Sequence, residues 1–130
     1  MITEDYVDFE TAKLLKEKGF HEPCIATYNL TTKDFAAEKI YQDWTTCWKT
    51  HVSAPTHQMA CKWLREVHNK HCDIGYDIDL GWLFQIIDLK EVVEYDYPEI
   101  KYYHAENETG FNSYEKACEA ALKYVLENLI

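Results

Sequence analysis

The stretch APTHQMACKWLREVHNKH, residues 54–71, constrains the fold more than any other. Met59, Ala60, Trp63, Leu64 and Val67 recur at i, i+3 and i+4, the spacing that gathers side chains on one helical face. Gln58, Lys62, Arg65, Glu66 and Asn69 fall opposite. Thr56 is placed to cap the helix, or Pro55 to occupy its first turn. A helix with a Trp-centred apolar face has to cover a sheet or other helices.

The flanking segments supply those partners. Asp8 can cap a helix over residues 9–18, with Ala12, Leu14 and Leu15 on its apolar side and Gly19 as its C′ residue. Pro23 opens an extended, β-branched and aromatic segment over 24–30, followed by a turn over 29–34. Residues 35–50 fit a strand through Phe35, Ala37 and Tyr41, and a helix through Ala36, Ile40 and Trp44; strand plus loop is the preferred reading. After the central helix, residues 72–80 alternate. Ile74, Tyr76, Ile78 and Leu80 point one way, Asp73, Asp77 and Asp79 the other, as in a half-exposed strand. Gly81 is the turn. Residues 82–89 are apolar on both faces, as in a more central strand. An acidic, Tyr-bearing loop (91–98), a short edge strand (100–104) and a loop (107–112) precede Ser113. That serine can cap a final helix from Tyr114 to about Leu129, with a polar ridge of Glu115, Glu119, Lys123 and Glu127.

AKLLKE (12–17) and CKWLRE (61–66) match loosely, each ahead of an extended segment. The expected architecture is a single α+β domain spanning residues 1–130. Three helices pack on a mainly antiparallel sheet of about four strands, in the order α-β-β-α-β-β-α. A length of 130 residues suits one domain with a sizeable core.

Charge then narrows the partners. The formal net charge is −10, and such a surface repels phosphate backbones, so nucleic-acid binding is not expected. MITEDYVDFE lacks the basic and apolar regions of a secretory signal, and no apolar run is long enough to span a membrane. The cysteines number five, with no C-x-x-C, a usage that fits free thiols in a reducing cytoplasm.

FETAKLLKEKGF, APTHQMACKWLREVHN and SYEKACEAALKYVLENLI together resemble a group of short uncharacterised proteins of Bacteroides-type gut bacteria and their phages and mobile elements. The likeness covers the three helices, under half of the chain. It implies a bacterial or phage cytoplasmic accessory protein. It carries no catalytic or binding residue over to this sequence.

Two constellations bear on function. On a continuous helix, His57, Cys61, His68, His71 and Cys72 would share about one-third of the circumference, spacings that let pairs of side chains reach one Zn²⁺. The plainer account is a stripe flanking the apolar face, with Cys as a small hydrophobe. No second ligand pair stands out, so no cofactor is expected. No catalytic residue is assigned either: there is no Gly-rich phosphate loop, G-x-S-x-G or H-E-x-x-H, and no third residue to orient a Cys61–His57 pair. The second constellation is aromatic. Trp44 and Trp48, with Tyr41, and Tyr95, Tyr97, Tyr102 and Tyr103 crowd irregular regions, where exposed rings serve as protein-binding patches. The expected function is therefore binding of a protein partner or self-association. Metal-binding or thiol-dependent activity on the His/Cys stripe is the alternative.

Overall fold

The structure, a computed structural model, describes residues 1–37, 49–90 and 110–130 and the backbone of 100–103. It is an α+β fold. Among the described residues the order is α1 (Phe9–Glu17), β1 (Ala26–Asn29), β2 (Phe35–Ala37), β3 (His51–Ser53), α2 (His57–His68), β4 (Lys70–Asp77), β5 (Gly81–Asp88), β6 (Ile100–Tyr103) and α3 (Tyr114–Asn128). β3 joins the first expected strand pair and the expected edge strand, β6, joins the second, so the strands form two antiparallel sheets, β2-β1-β3 and β4-β5-β6, rather than one sheet of about four. The backbone separates into two compact units, Met1–Ala60 and Cys61–Ile130.

In the first unit, Asp8 accepts from the Thr11 amide and caps α1. The helix ends as a Schellman motif: Gly19, at φ +96°, donates to Lys16 O, and Phe20 donates to Leu15 O. Leu15 and Phe20 are both buried, the apolar contact that accompanies this motif. Asn29 shapes the β1–β2 turn by accepting from the amides of Thr31 and Thr32. Val7, Ala12, Leu15, Ala26, Val52 and Ala54 are buried. The Tyr28 hydroxyl donates to Val7 O at 2.7 Å, fixing the segment that enters α1.

Thr56 caps α2 through the Met59 amide, as the sequence suggested. The buried face is rotated from the expected one. Ala60, Cys61, Trp63 and Leu64 are buried, whereas Met59 and Val67 are exposed. Cys61 thus takes a core place that hydropathy patterning assigned to longer apolar side chains.

In the second unit, α3 packs across β4 and β5. Ser113 caps it by accepting from Lys116 N. Ala117, Cys118, Ala121, Leu122, Val125 and Leu126 are buried, so the helix is packed along its whole length. β5 is the middle strand, in line with its apolar composition. Register pairs Cys72 with Ile86, Ile74 with Phe84 and Tyr76 with Trp82, which puts these six on one face of the sheet. Phe84 lies against Phe111 and Tyr124 on that face.

Candidate functional site

The His/Cys stripe does not form. Asn69 adopts φ +56°, a left-handed conformation that asparagine tolerates, and ends α2 at His68. Its carbonyl accepts from Leu89 N at 2.8 Å, and the chain leaves as β4. His71 and Cys72 are therefore strand residues on opposite faces, not a continuation of the helical row through His57, Cys61 and His68. His68 packs edge-on against the Trp63 ring at 4.7 Å. Among the described residues, no set of three or more His, Cys, Asp or Glu side chains is placed to hold a metal ion.

What the turn at Asn69 does assemble is a cluster of thiols. Cys61 Sγ lies 3.7 Å from Cys118 Sγ, and Cys72 hydrogen-bonds to Cys61. All three are buried and unbridged. The hydrogen bonds to Cys61, followed by burial, push the Cys72 and Cys118 thiols far above their ordinary range. In the first unit, burial followed by the Glu22 charge raises Cys24 to about 12. Thiol nucleophiles need the opposite, a thiolate favoured by cations or a helix N-terminus. Burial and raised pKa give Cys24, Cys72 and Cys118 the character of small core groups.

Of the aromatic candidates, Trp44, Trp48, Tyr95 and Tyr97 lie outside the described residues. Tyr102 and Tyr103 are on β6, opposite Gln85 and Phe84 in register, and their side chains lie outside the described set. A different aromatic surface is described in full. β4 stops at Asp77, and the residues expected to continue it form a three-residue loop, Ile78, Asp79 and Leu80. Asp77 Oδ1 accepts from the amides of Asp79 and Leu80 at 2.8 and 2.9 Å and holds the loop closed. Gly81 opens β5 at φ +95°. Gly110 then closes on the loop base: its amide donates to Leu80 O, and Phe111 and Trp82 exchange backbone hydrogen bonds.

This turn chemistry turns Ile78 and Leu80 outward. Ile78 is 89% exposed, Tyr76 65%, Tyr114 47% and Leu80 41%. Tyr76 meets the Trp82 ring edge-on at 5.1 Å, and Trp82 meets Tyr114 edge-on at 5.7 Å. The result is a ring ladder across β4, β5 and the first residue of α3, with two aliphatic side chains at its tip. The sequence assigned Tyr76, Ile78 and Leu80 to an inward strand face because period-2 alternation ran through the turn. The signal against that reading was local: Asp77 and Gly81 bracket a three-residue loop, a common hairpin geometry.

On the opposite face of the same hairpin, Asp73, Gly75, Asp77, Leu83 and Gln85 line a shallow groove. Gln85 donates to Asp73 across the strands, so the acid is already engaged. Nothing in the groove combines a nucleophile with a base. Among the described residues, no helix is long and apolar enough to cross a membrane. Comparison with protein-family models, curated proteins and solved structures found no match to this chain.

Proposed function

We propose that this chain works by binding another protein, and that the β4–β5 hairpin tip is the contact surface. The observation that carries this reading is the outward display of Tyr76, Ile78, Leu80 and Tyr114 around Trp82. Exposed large apolar side chains grouped together, rather than scattered singly, characterise interaction sites. Tyr and Trp concentrate interface energy, because they offer large rigid area at little entropic cost. Hydrogen bonding to Cys61 and burial, which hold the Cys72 and Cys118 thiols protonated, argue against thiol chemistry as the activity. The net charge of −10 favours a protein partner over nucleic acid. A reducing bacterial or phage-host cytoplasm is the setting that the cysteine usage and the helical resemblance support.

The test is site-directed photocrosslinking in cell lysate. A photoreactive residue replaces Ile78 in one protein and the exposed Glu127 of α3 in another. Discrete higher-mass adducts are expected from position 78 alone. Adducts equally abundant from both positions, or from neither, would refute the hairpin tip as an interface.

A further inference from the structure

Resting on that reading, we infer that the surface presented to the hairpin tip is a cationic one: an Arg- or Lys-rich segment of the partner protein. Acidic residues interleave with the apolar ones. Asp79 stands between Ile78 and Leu80 in the loop and Glu115 follows Tyr114, and both acids are exposed. Among the described residues, no Lys, Arg or His pairs with either acid; Lys62–Glu66 and Lys70–Asp88 are ion pairs of other residues.

The rings show the same vacancy in charge. In the first unit, Phe9 already has ammonium groups over its face, Lys13 at 5.5 Å and Lys33 at 5.2 Å. Among the described residues no cation sits over Tyr76, Trp82 or Tyr114. A guanidinium placed there would stack on a ring face while donating to a neighbouring carboxylate, two interactions that Arg makes together. The apolar stems of Arg and Lys would lie along Ile78 and Leu80.

Other occupants fit worse. A neutral apolar partner would bury Asp79 and Glu115 against no counter-charge, and unpaired buried charge is strongly unfavourable. A second copy of this chain docked tip to tip would bring the same acids face to face, since a two-fold interface meets itself. An anionic partner is repelled by the tip and by the whole chain.

The experiment titrates the full chain, ¹⁵N-labelled, with an alternating Arg-Ala peptide and with a Glu-Ala peptide of equal length. The Arg-Ala peptide is expected to shift the amides of 76–82 and Tyr114 saturably; the Glu-Ala peptide is not. Tyr76→Ser, and Asp79→Asn combined with Glu115→Gln, should each weaken binding about tenfold, the scale of an interface contact just short of a hot spot. Glu10→Gln combined with Glu17→Gln removes the same charge from the first unit and should leave affinity unchanged. Shifts scattered over the chain, with equal weakening by both charge pairs, would reduce the effect to bulk attraction and overturn the inference. Position-78 adducts that persist undiminished in Asp79→Asn/Glu115→Gln would overturn it too, yet leave the interaction reading standing. Absence of both adducts and peptide binding would sink the two together.

Discussion

Gly110 is the position where one methyl group should do the most damage to the hairpin that carries the aromatic ladder. A Cβ added there would press into the Leu80 carbonyl oxygen and stand 2.6 Å from that of Trp82, with the Gly81 carbonyl carbon at 3.0 Å. All three are backbone atoms, so no side chain can swing away. Relief requires residues 110–111 to lift off the hairpin. That movement gives up the bonds Gly110 N to Leu80 O (2.8 Å), Phe111 N to Trp82 O (2.7 Å) and Trp82 N to Phe111 O (3.3 Å). At about 1 kcal/mol net for each, Gly110→Ala should destabilise the protein by about 2–4 kcal/mol. Gly75 provides the internal control. It lies on the same hairpin with nothing within 4 Å of an added Cβ, so Gly75→Ala should be neutral or slightly stabilising. Urea denaturation measures both, and hydrogen exchange at Trp82 and Phe111 reports the lost bonds directly. An unchanged midpoint for Gly110→Ala, with both amides still protected, would refute the close approach on which the hairpin geometry rests.

Trp63→Ala should lower stability by about 3–5 kcal/mol, because this indole is buried and its removal leaves a cavity; calorimetry decides it, and an unchanged melting midpoint would place Trp63 at the surface. Ile78→Ser should leave stability within about 0.5 kcal/mol of the parent while abolishing the position-specific crosslinks, since the side chain is exposed. Alkaline pH should destabilise the fold. Cys24 has its folded-state pKa raised from 9.0 to about 12, so its contribution is complete below pH 9 and lost as pH rises towards 12. Each such thiol adds a slope of about 1.4 kcal/mol per pH unit, with Cys72 and Cys118 acting in the same direction. Cys24→Ala should make the fall in melting temperature above pH 9 shallower; an identical profile would mean that Cys24 is accessible in the folded state.

Much of the fold was legible because local chemistry and tertiary packing agree. Asp8, Thr56 and Ser113 cap helices in the structure as their sequence context predicted, each through a backbone amide three residues on. Gly19 ends α1, and the central placement of β5 followed from apolar residues on both of its faces. What failed did so where one residue overrode a period. Asn69 broke a row of His and Cys that is coherent at 100° per residue only while the helix continues. Asp77 and Gly81 did the same to the alternation of β4. The rotated face of α2 failed for another reason. The periodic row ran through Met59 and Val67 rather than Cys61, yet it is Cys61 that meets Cys118. Small residues on both helices are compatible with close approach, and sequence periodicity carries no information about such pairings.

The same override explains why the candidate surface was invisible to patterning. Core and interface use the same residue types, so Tyr76, Ile78 and Leu80 read as interior until the turn is known. Three devices hold them outward: the Asp77 carboxylate on the loop amides, the positive φ at Gly81, and the side-chain-free approach of Gly110. None of these requires Ile78 or Leu80 to be apolar, because the loop is shaped by backbone and carboxylate alone. A polar residue at either position would serve the turn equally well and would suit solvent better. Ile78, 89% exposed, therefore contributes little to folding, and its outward display is what the proposed interface would use. Tyr76 and Tyr114 extend that reasoning, since each has one edge against Trp82 and a large area still in water. A surface whose loop is held by its own hydrogen bonds would lose little entropy on docking, the condition that the proposed interface asks of so small a patch.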